Sequence, residues 1–481
     1  MNTSKLAAAL ACLTIAACGG GGSDPDSVAG IDGRGAPVAA KAQGTIASFG
    51  SIVVNGVRYD TSSATFEVDG TAGSESDLAV GDVVTVTGTI AESGTTGTAN
   101  SVQFDDIVEG PVAAVDTAAN TITVLGQTVQ VSADTSFDDN ISPASIDGVM
   151  VGMIIEVSGF RLSDGTISAT RIEAKPAGGE FEVTGLVSNL SATTFQIAAL
   201  TVDYSGAQLD DFPAGSIQDG QRVEAKGTTL GAGGELIATR VEFKGDNLGV
   251  DDGDQVEIEG FITRFASDAD FDVSGSPVTT NASTIYEGGT AADLGLNIKV
   301  EVEGVADANG VIVATKVDIR RAKAVRATAL VDSVDAANAS VVLLGITVNT
   351  DELTRIEDKS SADVEPLTIG DINVGDYVEV RGDEFPAGSG DILATIFERE
   401  DPDPEASLQG FVETMNDPNF TILGVTIETN GGTVFRDENN VVISSTEFFN
   451  RLAINDLVKA EGSEVSDTTI VATEVEIELE L

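Results

Sequence analysis

Apolar and polar residues alternate along this chain in short bursts, and one burst recurs six times. "GDVVTVTG" at residue 81 is matched by "GMIIEVSG" at 152, "GQRVEAKG" at 220, "NIKVEVEG" at 297, "GDYVEVRG" at 375 and "NDLVKAEG" at 455. The residues four and two before the last glycine are apolar in every copy: Val84 and Val86, Ile155 and Val157, Val223 and Ala225, Val300 and Val302, Val378 and Val380, Val458 and Ala460. Mostly polar residues alternate with them, the period of two expected of a half-buried strand. The first position is Gly in four copies and Asn at 297 and 455. Both residue types reach positive φ readily, so the pattern predicts a left-handed turn at the entry to each strand.

Two further segments recur in fixed order. Upstream, a small residue is followed by apolar residues two and five positions later: Gly44 with Ile46 and Phe49, Gly110 with Val112 and Val115, Gly185 with Val187 and Leu190, Gly260 with Ile262 and Phe265, Ala329 with Val331 and Val334, Gly410 with Val412 and Met415. These anchors lie 66, 75, 75, 69 and 81 residues apart. Downstream, a closing strand signal carries an alanine at 99, 169, 238, 314, 394 and 472. Between the first two segments sit two more strand signals rich in Val, Ile and Thr, as in "TITVLGQTVQV" with its central turn. The last copies insert extra residues, including "SSTEFFNRLAI", where Ser445 or Thr446 is placed to cap a short helix with Phe448, Phe449 and Leu452 on one face. Five strands with an optional helix between the third and fourth build a small OB-like Greek-key barrel, so the expected fold is all-β, a tandem array of about six such barrels.

These patterns resemble a family of bacterial lipoproteins and secreted proteins carrying tandem OB-like modules of uncharacterised function. The likeness rests on "GPVAAVD…ITVLGQTVQV" and the VGDxVxVxG segment, and runs over nearly all the mature chain. It implies a fold and a compartment, with no common ligand or reaction. Segments rich in Gly, Pro and acid, "AKPAGG" at 174–179, "GDNLGVDDGD" at 245–254 and "EDPDPEAS" at 400–407, read as linkers. The expected modules are residues 41–106, 107–175, 180–244, 254–321, 322–399 and 405–481. The first two join without a spacer, which suggests that they pack as a pair.

Composition narrows the function classes. The 481 residues carry 78 acids against 25 bases, a formal charge of −53. Such a chain repels a phosphate backbone and lacks the counterion-release term behind most nucleic-acid binding, so nucleic acid is not an expected partner. There is no His and no Trp, and only four Tyr. Ser-His-Asp and Cys-His catalysis and imidazole-ligated zinc are excluded, and a sugar-stacking platform is disfavoured. The only cysteines are Cys12 and Cys18, so disulfide and thiol chemistry are absent from the rest of the chain.

Both cysteines fall in "MNTSKLAAALACLTIAACGGGGSDPDS", which has Lys5 in a short leading region and an apolar run from Leu6 to Ala17. This reads as a secretory signal, too short to span a bilayer as a mature helix. "IAAC" at 15–18 resembles the lipobox of bacterial lipoproteins. That resemblance implies cleavage after residue 17, acylation of Cys18, and a Gly-rich tether over 18–40. Three acyl chains, at ~0.8 kcal/mol per buried CH₂, hold far better than one. The family's sorting pattern, with Gly19 where inner-membrane retention uses Asp, implies the outer membrane of a Gram-negative bacterium, facing the periplasm or the outside.

Candidate chemistry is thin. An apolar residue followed by an acid recurs as Phe66-Glu67, Phe137-Asp138, Leu209-Asp210, Tyr286-Glu287 and Ile356-Glu357, but the sixth copy has Phe435-Arg436. A shared cation site would not tolerate that exchange, so the apolar member reads as core and the acid as a solvated strand end. Asp246, Asp251, Asp252 and Asp254 offer hard oxygen ligands without EF-hand spacing, so they read as a charged linker with at most weak divalent-cation binding. Paired carboxylates serve glycosidases, yet no copy carries a polar cluster that the others lack. The expected protein is therefore not an enzyme and holds no cofactor or metal site. It is a lipid-anchored binding or spacer array, with envelope proteins as partners. The alternatives are a Ca²⁺-dependent adhesion or envelope-assembly module and, from another class, a carbohydrate-active enzyme using Asp and Glu.

Overall fold

The computed structural model describes residues 38–478, apart from 50, 92, 93, 133, 246, 247, 321–324, 363, 365, 387 and 439. It is all-β, with one α-helix and a few 3-10 turns among the described residues. In the first module the strands are Val38–Ser48, Ile52–Val54, Val57–Asp60, Val83–Ile90 and Thr96–Phe104. The first pairs with the second and the second with the third as antiparallel neighbours. The third runs parallel to the last, the last pairs antiparallel with the fourth, and the fourth returns to the first. The circuit closes with the third and fifth strands parallel, the arrangement expected of an OB-like barrel.

The same circuit recurs in the second, fourth and sixth modules. In the fifth the opening strand is broken into Val325–Leu330 and Ser333–Asp335. In the third, the link from opening segment to second strand narrows to one bridge, Ser188 to Gln196. The barrel interiors are filled as the alternation predicts. All twelve inward residues of the six VGD-type strands, from Val84 and Val86 to Val458 and Ala460, are at most 1% exposed.

Each feature of that segment has a physical cause. Its first residue is left-handed in every copy, with φ of 96, 92, 87, 64, 90 and 73° at Gly81, Gly152, Gly220, Asn297, Gly375 and Asn455. From that geometry its N–H reaches the carbonyl of the upstream apolar residue (Ile46, Val112, Val187, Ile262, Val331 and Val412) at 2.8–3.0 Å, fastening the turn to the opening strand. Its last residue is glycine for want of room. A Cβ at Gly88, Gly159, Gly227, Gly304, Gly382 or Gly462 would lie 2.1–2.6 Å from a carbonyl oxygen of the closing strand. In five modules the ladder shifts register at this glycine, the mark of a bulge, with the recurrent alanine directly opposite, as in Gly88 to Ala99. The helix spans Ser445–Arg451, and its cap is Ser444, whose side chain accepts from the Glu447 N–H. The expected caps, Ser445 and Thr446, lie one and two residues too late, inside the helix.

The modules are not strung singly. Opening strands pair between modules: Ala40–Gln43 run parallel to Gln255–Ile258, joining the first to the fourth. Val108 and Glu109 pair antiparallel with Val183 and Glu182, joining the second to the third. Arg326–Thr328 pair antiparallel with Ser407–Gln409, joining the fifth to the sixth. In each barrel the C-terminal half of the opening strand is committed to the second strand, which leaves the N-terminal half with an open edge, and an open edge is a template for another strand. The second and third modules share one apolar core, as do the fifth and sixth. Modules one and two, expected to pack as a pair, meet through contacts such as Arg171 with Asp82 and the Val83 N–H with Ser158 Oγ, and share no ladder among the described residues.

Candidate functional site

The close packing changes the fate of the outward residues. Glu156, Glu224 and Glu301 occupy the outward position between the two inward residues of their strands, yet they are 5%, 1% and 3% exposed. A neighbouring barrel, or a cation from the same barrel, covers them. Glu301 pairs with Arg320, Glu156 with Lys175 Nζ at 2.9 Å, and Glu224 with Lys244 Nζ at 3.2 Å.

Modules one, two and five meet around Arg171. Its guanidinium lies 3.9 Å from Asp82 of the first module and 3.6 Å from Glu357 of the fifth. Ser136 Oγ donates to Glu357 at 2.9 Å, Arg355 Nη1 donates to the Asp134 carbonyl at 2.8 Å and Lys359 Nζ to the Phe137 carbonyl at 2.8 Å. Burial pushes the Asp82 carboxyl up to about 7 against the pull of Arg171. Glu357 is held below its ordinary value because Lys359, Arg355 and Arg171 outweigh its burial. These cations join modules by hydrogen-bonding backbone carbonyls across the junctions.

Cavities lie at the junctions too. One of about 470 Å³ opens between the first four modules, lined by Lys41, Arg161, Arg222 and Lys244. Asp105 and Asp106 line it beside these cations, and the cations are engaged. Lys244 pairs with Asp105 at 3.0 Å, Lys41 donates to the Gly249 carbonyl at 3.3 Å, and Arg161 donates to Gly165 O, Gln127 Oε1 and Thr184 O. Burial and the facing Arg222 lower Arg161 to about 10.

Of the residues singled out from the sequence, Cys18 lies outside the described residues, as does Asp246. Asp251, Asp252 and Asp254 form a tight turn, with Asp254 Oδ2 accepting the Asp251 N–H at 2.9 Å, and are not brought around a common point. The apolar-acid pairs divide. Phe137 and Phe435 are core, but Leu209 is 39% exposed. Glu67 and Glu287 are exposed as expected, whereas Glu357 is buried at the junction with module two. That correction follows from the packing of barrels against one another, which the repeat alone does not specify.

Sequence reasoning missed a recurrent threonine. Thr135, Thr284, Thr354 and Thr433, each two residues before the apolar member of those pairs, donate to the carbonyls of Ala169, Ala314, Ala394 and Ala472 at 2.7–2.8 Å. The spacing T-x-(apolar) was the available signal. It was also blind to a set of acids gathered where modules one, two and three meet: Asp69, Asp106, Glu109, Glu156 and Glu182.

Comparison with known proteins gives a family and little more. No curated protein matches the chain. Among solved structures, drosophila Unr CSD456 is similar at 16% identity over 45% of this chain and 98% of its own, with a TM-score of 0.12, too low to bear on fold or ligand. One family model matches six times, over residues 43–103, 109–173, 184–242, 259–318, 328–395 and 409–476. Each match spans one of the barrel circuits described above, and together they take in most of the sequence. The chain belongs to the family described as a domain of unknown function, DUF5666, and carries that domain six times.

Proposed function

We propose that this protein is a non-catalytic binding scaffold of the bacterial envelope, held at the outer membrane by acyl chains on Cys18. The observation that carries the non-catalytic part is how the recurring polar groups are employed. The threonines bond closing-strand carbonyls, Asp82, Asp376 and Asp456 accept turn N–H groups at 2.7–2.9 Å, and Arg171, Arg355 and Lys359 span junctions. Nucleophile, base and oxyanion donor do not converge in any of these arrangements. Several modules held together present a broad surface on which weak contacts add. The reading departs from a linear spacer, since the opening strand of the first module pairs with that of the fourth, three modules along the chain. The anchor rests on the lipobox-like "IAAC". Its test is a Cys18→Ser variant followed by fractionation and metabolic lipid labelling. Loss of label and release from the membrane are expected; a variant that stays membrane-bound would refute the anchor.

A further inference from the structure

The strand register between the second and third modules lines up acids. Glu156 faces Glu109 across one ladder, Glu109 faces Glu182 across the next, and Lys226 faces Glu182 across a third. Three carboxylates thus stand side by side on adjacent strands, an arrangement that destabilises a sheet unless it is neutralised. Lys175 takes Glu156 Oε2 at 2.9 Å and Lys226 takes Glu182 Oε2 at 2.7 Å. Asp106, at the link between modules one and two, joins this row. It is 1% exposed, and neither of its carboxylate oxygens has a hydrogen-bond partner. Glu182 Oε1 is buried and likewise unpartnered. Asp69 enters from the left-handed Asp69-Gly70 turn of module one, its Oδ1 accepting the Asp106 N–H at 3.2 Å.

The geometry suits a cation. One oxygen each from Asp69, Asp106 and Glu182 lie within 4.8 Å of one another, and the same holds for Asp106, Glu109 and Glu156. Oxygens that bind Ca²⁺ at 2.3–2.6 Å stand at most roughly 5 Å apart, so each triad fits one coordination sphere. Two lysines do not balance five carboxylates, and a dry, ionised, unpartnered carboxylate is too costly to leave without a proton or a cation. An uneven set of carboxylates fits the irregular shell of Ca²⁺ better than the strict octahedron of Mg²⁺.

We propose that Asp106, with Asp69 of the first module and Glu182 of the third, forms a Ca²⁺ site that clamps the first three modules together, the Asp106, Glu109 and Glu156 triad lying beside it on the shared carboxylate. The site stands whether or not the chain is lipid-anchored. Its test uses the full chain stripped with EGTA, titrated calorimetrically with CaCl₂ and melted in CaCl₂ or in equal MgCl₂, the latter reporting general screening of the acidic surface. Saturable Ca²⁺ binding is expected, with a midpoint ~3 °C or more above that in Mg²⁺. Asp106→Asn keeps the side-chain size and removes a charge, so it should fold yet lose at least ~10-fold in Ca²⁺ affinity. Asp252→Asn, on an exposed turn, should bind as the native chain does. Equal shifts in the two metals, or a Ca²⁺-specific shift that survives in Asp106→Asn, would overturn the site. An Asp106→Asn variant that is more stable, beside a native chain indifferent to Ca²⁺, would also overturn it by showing that a proton fills the cluster.

Discussion

At the scale of single residues, this repeat is governed by lack of space and by backbone sign. Gly462 illustrates the first: a Cβ there would sit 2.1 Å from the Val471 carbonyl oxygen, on a closing strand whose partner at that point is Ala472. Gly462→Ala is expected to destabilise by about 1–3 kcal/mol. Gly295→Ala, where nothing lies within 4 Å, should change stability by less than about 0.5 kcal/mol. Urea unfolding of the two variants side by side checks this, and equal midpoints would refute the steric account. Positions of this kind were legible in the sequence, because Gly or Asn at the first place and Gly at the last recur whatever lies between. Less legible were the turns between second and third strands. Leu125, Leu344 and Leu423 take φ of 45, 54 and 47° there, strain that is offset by burying each leucine, at 5%, 0% and 8% exposure.

At the scale of elements, the strands followed from their period of two, and the helix at Ser445–Arg451 from its aromatic face, though its cap is Ser444 and not Ser445 or Thr446. Phe448 is fully buried, with ring centroids of Phe435 at 5.0 Å and Phe449 at 5.4 Å. Phe448→Ala should cost about 3–5 kcal/mol through the cavity it leaves. Ser444→Ala, which removes only the cap, should cost about 1 kcal/mol. Thermal unfolding ranks the two, and a larger loss at Ser444 would mean that capping, not packing, holds the helix. What the period of two did not show is the second covered face. It reports that Ile155 and Val157 point inward, but says nothing of what lies beyond Glu156. That environment is made by residues far along the chain, and the same reasoning explains why the acids around Asp106 went unread.

At the scale of the whole assembly of barrels, buried charge ties stability to pH. Glu257 lies at the ladder between modules one and four, opposite Ala42. Burial, with Glu301 and Glu303 repelling it and Lys316 attracting it, raises its carboxyl to about 9. An unfolded glutamate titrates near ~4.3, so the folded form holds a proton that the unfolded form has released, and stability falls as pH rises from about 4 towards 9. Glu259 has the opposite sign. Lys299 and the Thr45 N–H outweigh its burial and hold it at about 2, so its contribution is lost only as pH drops below about 4. The melting midpoint should therefore decline between pH 6 and 9, and Glu257→Gln should flatten that decline while leaving the acid limb unchanged. An unaltered slope in calorimetric scans of the variant would show that Glu257 is not among its causes. The pairing of opening strands carries a different implication, one of arithmetic. Each barrel offers one half-edge, and six of them cancel two by two, first with fourth, second with third, fifth with sixth. Only an even number of modules can do this, so gain or loss of a single copy would leave one edge in search of another chain, whereas copies added in pairs would not.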